Sequence, residues 1–219
     1  MSDTYSTLVV DPPWPQKGAG ALVGRMGFGD ATGASKPMPY ATMPVADIAA
    51  LPVGDLASRD AHLYVWTTSR FMPDTYTLLK AWGFKPSTLL VWAKKPMGGG
   101  LGGAYGIATE FVIFARRGQL ATSARIGRNW FEWKRPYDER GKPRHSAKPP
   151  EFFDLVETVS PGPYLELFAR DNRPGWDAWG NEVAECVDLT ALSQPTVSDV
   201  VLTSVSNTPS PITSESRIE

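Results

Sequence analysis

Asp11-Pro12-Pro13-Trp14 follows directly on the apolar run Ser6 to Val10, which reads as a buried strand, so an acid, two prolines and an indole stand at its carboxyl end. In α/β domains that end of the sheet is where ligands bind. The four residues suit one chemical task. An aromatic exocyclic amine is a poor nucleophile because its lone pair is delocalised into the ring. Two acceptors aimed at its two hydrogens draw the nitrogen toward tetrahedral geometry and free that pair. The Asp11 carboxylate supplies one acceptor and the Pro12 carbonyl the other. Pro13 holds residue 12 extended and the Pro12 ring fixes its own φ, so that carbonyl has little freedom to turn away. Preorganised acceptors of this kind carry much of electrostatic catalysis. Trp14 adds a flat face for a base rotated out of its stack, worth about 1–3 kcal/mol. The same four residues also make an ordinary turn with a packing tryptophan, and the motif alone does not choose between the two.

The elements that must hold this motif follow from periodicity. Ser6 to Val10, Ala61 to Trp66, Ser87 to Ala93, Phe111 to Ala115 and Tyr164 to Phe168 are short runs of β-branched, leucine and aromatic residues, read as strands buried on both faces. Between them, helical patterns cover Pro44 to Leu51 after a possible cap at Thr42, Thr75 to Trp82 ending at Gly83, and Pro149 to Val159, the last placing Phe152, Leu155, Val156 and Val159 on one face. Strand, helix, strand in repetition predicts an α/β domain whose sheet is mainly parallel, with helices on both faces. Two glycine-rich stretches, Pro15 to Pro39 and Pro96 to Tyr105, break the alternation and read as loops around a site. Neither has the form of a phosphate-cradling loop.

A chain of 219 residues with 42% hydrophobic and 21% charged residues has material for one domain with a full core. The domain is expected over residues 1–187. Residues 188–219, rich in Ser, Thr, Pro and acid and without aromatics, are expected to be a disordered tail. No apolar run is long enough to span a membrane and the amino-terminal residues lack the layout of a signal peptide, so the expected compartment is the cytoplasm. One cysteine and the two histidines His62 and His145 supply neither a disulfide framework nor a Cys/His metal site. No metal is expected. The net charge of -1 hides an uneven distribution. From Ala115 to Lys148 ten Lys and Arg stand against Glu132, Asp138 and Glu139. That local excess of seven positive charges, interleaved with Trp130, Phe131 and Trp133, suits a phosphate backbone and unpaired bases, and equally a solvated arginine-rich loop.

Several further segments occur in a fixed order: VVDPPWP, PYATM, HLYVWTT, AWGF, LLVWAKK, ATEFVIFARRG, HSAKPPEFFDLVE, ELFAR and GWDAWGNEV. Taken together, over residues 7 to 183, they resemble the MT-A70 family of S-adenosylmethionine-dependent N6-adenine methyltransferases, in a prokaryotic or phage form. The collinear set carries the resemblance, since DPPW alone is easily matched by chance. It implies a Rossmann-like methyltransferase fold with permuted motif order, the catalytic strand early and the cofactor strand late.

The resemblance also implies roles. Asp11 to Trp14 match the catalytic motif, with Asp11 also near the cofactor's amino group, and Lys148 matches the lysine that meets the cofactor's carboxylate. A cation at a helix start opposes the helix dipole, which an anion beside it would explain. Glu166, Phe168 and Arg170 match the cofactor-side strand and its end. Asn181 and Glu182 match the pair that holds the ribose hydroxyls. On the substrate side Trp14, Trp66 and Trp92 are candidates to line a base pocket. Lys94 and Arg116 follow strands and are candidates for phosphates, with Trp130 a further stacking face. His62, at a strand start, reads as structural.

The implied reaction is methyl transfer from S-adenosylmethionine to adenine N6 in nucleic acid, DNA favoured over RNA. A catalytically silent nucleic-acid-binding member and a small-molecule N-methyltransferase remain as alternatives. The intact motif and Lys148 speak for activity, and the basic aromatic stretch for a polymer. Target recognition then falls to that stretch or to a partner subunit.

Overall fold

The computed structural model describes residues 4–15, 41–94, 105–142, 144, 147–183, 187 and 189. Most of the two glycine-rich stretches, His145 and, Leu189 apart, the expected tail lie outside these residues.

Among the described residues seven strands form one sheet: β1 Tyr5–Val10, β2 Ala57–Thr67, β3 Lys85–Ala93, β4 Thr109–Arg117, β5 Trp130–Phe131, β6 Tyr164–Leu167 and β7 Trp176–Trp179. Their order across the sheet is β5-β3-β4-β2-β1-β6-β7. β1 lies between β2 and β6, parallel to both. β3 with β5 and β6 with β7 are also parallel, whereas β4 runs antiparallel to β2 and β3. Six strands therefore point one way and β4 points the other. The sequence between β3 and β4 carries no helical apolar period, which suits an antiparallel return, since a parallel one needs a crossover connection.

Helices cover both faces, as the alternation predicts. On one face α1 Val45–Ala49, α2 Val53–Leu56 and α3 Met72–Ala81 pack Ile48, Val53, Leu56, Leu78 and Leu79 against Leu8, Val10, Leu63, Val65, Ile113 and Leu167. On the other, α4 Pro150–Val159 packs Phe152, Phe153 and Val156 against Val9, Tyr64, Trp66, Trp92, Val112 and Phe114. The alternation of Leu8, Val9 and Val10 between the two clusters is the period-two reading of a strand buried on both sides.

Two expectations are corrected. The single helix expected over Pro44 to Leu51 stops at Ala49, and Pro52 becomes the cap of α2 instead, since a proline lacks the donor that would continue a helix. β3 is not buried on both faces. Lys85 to Thr88 are exposed, because the strand lies next to the edge, with only the two-residue β5 outside it. β5, two residues long, and β7, four residues with no β-branched residue or leucine, had no strand signal of their own. Leu189, just past the expected domain boundary, is buried in the first cluster, and Val187 N–H donates to the Ala178 carbonyl at 3.0 Å. Among the described residues no helix is long and apolar enough to cross a membrane.

Candidate active site

The carboxyl edge of the parallel strands bounds a cleft of ≈ 370 Å³. The β1 end supplies Asp11 to Trp14, and the β2 end supplies Trp66 to Thr68. The β6 end supplies Phe168 to Arg170, the β7 end Trp179 to Glu182, and the approach to α4 supplies Lys148. One wall is unlike the rest: Glu110 comes from the start of β4. Because β4 runs backwards, its amino end lies where its neighbours finish.

Four charges alternate across this floor. Lys148 Nζ lies 2.8 Å from Asp11 Oδ2 and 3.4 Å from Glu110 Oε2, and Lys94 pairs with the other oxygen of Glu110. Lys148 also stands 5.0 Å from the ring centre of Trp66, a cation over an indole face. Burial works against the charge of Lys148, but Asp11 and Glu110 outweigh it and keep the ammonium protonated above its ordinary range. Burial likewise pushes Glu110 up, and Lys148 and Lys94 more than offset it, leaving its carboxyl below the usual value. Asp11 ends above its usual value, since its burial exceeds the opposing pull of Lys148 and the neighbouring charge of Glu110 adds to it.

The backbone of the motif is locked. Trp14 N–H donates to the Pro12 carbonyl at 2.8 Å, closing a tight turn around Pro13, while the Pro13 carbonyl accepts from Met43 N–H at 2.9 Å. The Pro12 carbonyl keeps a second lone pair, and the turn fixes its direction. Trp14 is buried, stacked on Phe71 with centroids 5.0 Å apart, and its Nε1 donates to the Trp66 carbonyl at 3.2 Å. One face of the indole is therefore already occupied. Its ring is a wall of the cleft more than a projecting platform.

The opposite lip is built by strain and a close approach. Phe168 has φ of 65°, a left-handed conformation that costs a bulky residue about 1–3 kcal/mol and is found where surrounding contacts enforce it. Here the chain turns so that Ala169 N–H meets the Trp179 carbonyl at 2.9 Å and the Phe168 ring packs edge-on to Trp179 at 5.1 Å. Gly180 lies against this turn so tightly that a Cβ would sit 2.1 Å from the Ala169 carbonyl oxygen. Asn181 and Glu182 follow at the cleft's rim, with Glu182 3.6 Å from Arg170. Arg144 holds Asp171 beside them through two hydrogen bonds of 3.0 and 3.1 Å.

The structure brings together Asp11, Pro12, Pro13, Trp14, Trp66, Lys148, Phe168, Arg170, Asn181 and Glu182. Lys94 joins them through Glu110. Glu166 does not line the cleft. It lies on β6 level with Val9, and burial together with the Asp11 charge pushes its carboxyl up to about 8. Trp92 is buried behind the cleft, donating to the Trp133 carbonyl at 2.9 Å and meeting Trp66 edge-on at 5.8 Å. Trp130 is exposed on β5. The placement of Arg116 is a correction. It pairs with His62 in the middle of β2, whereas Phe111, next to Glu110, pairs with Thr67 at its carboxyl end, so the reversal of β4 carries Arg116 away from the sheet's ligand-binding edge. Its guanidinium donates to the Leu120 carbonyl at 2.5 Å. Glu110 is the residue sequence reasoning missed. Its signal was an acid immediately before the apolar run FVIF, which becomes meaningful only once the direction of β4 is known.

Comparison with known proteins bears on this arrangement. The MT-A70 family model matches residues 5–182, a span that takes in every strand and every wall of the cleft. The chain belongs to the MT-A70 family. Within and around it, the chain is 30% identical to the type II methyltransferase M.MunI of a Mycoplasma species, over 83% of this chain and 78% of that protein. It is 26% identical to the mouse N(6)-adenine-specific methyltransferase METTL4 and 29% identical to the N6-methyladenosine RNA methyltransferase MTA1 of Pyricularia oryzae. Of those two it spans 38% and 47%, so the likeness to these larger MT-A70 relatives covers less than half of each.

Proposed function

We propose that this MT-A70 protein transfers a methyl group from S-adenosylmethionine to the N6 amine of adenine in a nucleic acid. The observation that carries the reading is the joining of Asp11 to Lys148 beside a fixed Pro12 carbonyl at one end of the cleft. The donor set fits the cofactor. An adjacent carboxylate and ammonium match the ammonium and carboxylate of its amino-acid end, and Asn181 and Glu182 at the other rim offer an amide and a carboxylate to ribose hydroxyls. When bound, S-adenosylmethionine supplies an electrophilic methyl on a sulfonium that is already a good leaving group.

The chain's own residues then do three things. Lys148, held beside Asp11 and Glu110, would neutralise the cofactor's carboxylate. Asp11 and the Pro12 carbonyl accept the two N6 hydrogens and orient the nitrogen lone pair for in-line attack, so proximity and amine activation suffice and no covalent enzyme intermediate is needed. As the new bond forms the nitrogen sheds a proton, and the Asp11 carboxylate, with its raised proton affinity, is placed to take it.

The cytoplasm suits this activity, and DNA is favoured as the polymer. The likeness spans 78% of the type II methyltransferase against 47% of the RNA methyltransferase. Methyl transfer from radiolabelled S-adenosylmethionine to matched DNA and RNA pools, each digested to nucleosides, tests the reading. Labelled N6-methyladenine in the DNA pool is the expected product. Cofactor binding with no label in either pool would overturn it.

A further inference from the structure

Trp130 is 53% exposed, yet its backbone is clamped. Asn129 carbonyl accepts from Val91 N–H at 2.8 Å, and Asn129 Nδ2 donates to the Leu89 carbonyl at 3.0 Å. A large aromatic ring held out on a fixed backbone loses little freedom when something stacks on it, which is what makes such rings effective contacts. Its position along the sheet is equally specific. Trp130 pairs with Val91, Val91 with Phe111, and Phe111 with Thr67. Residues paired across a sheet share a face. A single row therefore leads from Thr67, in the wall of the cleft, across the half-buried Phe111 and Val91 to the exposed indole. Three strand spacings separate the ends of the row, about 14 Å.

The charges around the ring complete the picture. Arg125, Arg128 and Lys134 are exposed on the same segment, with Arg128 packed over the neighbouring Phe131 ring at 5.4 Å. Cations beside an open aromatic face suit a phosphodiester chain with an unstacked base.

We propose that Trp130 is a second base-stacking site, which takes an unpaired base flanking the target adenine. It rests on the functional reading above. At the 3.4 Å rise of a stacked strand, 14 Å is about four nucleotides, and fewer when the strand is stretched. The contact is therefore outside the reacting base and acts on polymer affinity.

The test is a length series of single-stranded oligonucleotides with one adenine, carrying ten or only one nucleotide on each side. On the long oligonucleotide Trp130→Ala is expected to raise KM about tenfold, within the range of one base–aromatic stack, and Trp130→Phe to restore most of it. On the trimmed one the ratio of variant to wild-type KM should fall to near one. Fluorescence anisotropy of the same labelled oligonucleotides reads the same ratios without catalysis, so a failure of the methyl-transfer reading does not hide the answer. Equal losses at both lengths, or no loss on the long oligonucleotide, would overturn the proposal. So would a concentration-dependent dimer that Trp130→Ala dissociates, which would assign the exposed ring to a second copy of the chain.

Discussion

Lys148 Nζ bridges Asp11 and Glu110, 2.8 Å from one carboxylate and 3.4 Å from the other. The two acids come from strands of opposite direction, and one cation joins them at the edge where both meet. Its removal leaves two carboxylates with no shared counter-ion, and the Coulomb terms of the site then have predictable signs.

Lys148→Met should move the acidic limb of the kcat/KM profile to higher pH, because the cation that opposes protonation of Asp11 is gone. The KM for S-adenosylmethionine should rise at least about tenfold, the order expected for losing one charge-assisted contact. An unchanged limb would detach Lys148 from Asp11.

Glu110→Gln should shift the same limb in the opposite direction. Glu110 raises the Asp11 pKa through like charge, so a neutral isostere lets Asp11 ionise at lower pH. Paired pH profiles of the two variants make the sign itself the readout. Shifts in the same direction would contradict the arrangement.

Gly180→Ala forces a methyl to within 2.1 Å of the Ala169 carbonyl oxygen. Backbone cannot yield as a flexible side chain does, so the substitution should cost about 1–3 kcal/mol of stability. It should also raise the cofactor KM while leaving the Asp11 limb of the pH profile in place. Chemical denaturation and a cofactor titration check the two effects separately.

His62 gives a pH dependence of folding. It is fully buried. Its Nε2–H donates to the Leu120 carbonyl at 3.1 Å, so Nδ1 accepts from Ser160 Oγ at 2.8 Å and Ser160 accepts from Tyr64 OH at 2.8 Å. That chain needs a neutral ring. Burial, aided by the charge of Arg116 and opposed by the Leu120 carbonyl, holds the His62 pKa below its ordinary 6.5. The unfolded chain therefore binds more protons on the acidic side, and the stability present above about pH 6.5 is lost as pH falls below it. Melting temperatures between pH 7 and 5 should fall more steeply for the wild type than for His62→Gln, whose amide can make both contacts without titrating.

What the sequence made legible was local. VVDPPW announces a strand and what stands at its end within one short stretch, and the helical period of Phe152, Leu155, Val156 and Val159 is enough to place α4 and, just ahead of it, Lys148. Glu110 and Arg116 were illegible for one shared reason. They lie at opposite ends of β4, and no local pattern records which way a strand runs in its sheet. The family motif likewise marked Trp14 without its neighbour. Phe71 lies far along the chain, and only the fold reveals that it covers one face of the indole. Trp176 and Trp179 gave no strand signal because WDAW holds no β-branched residue or leucine and stands between Gly175 and Gly180.

The central claim is that Asp11 activates the amine and does not merely hold the fold. Single-turnover methyl transfer to the preferred polymer, with cofactor affinity measured on the same preparations, tests it directly by comparing wild type with Asp11→Asn. The account predicts a fall in the transfer rate of at least about a hundredfold, the scale of losing one preorganised electrostatic contact, in a variant that still folds and still binds cofactor. A transfer rate within a few-fold of wild type would contradict it.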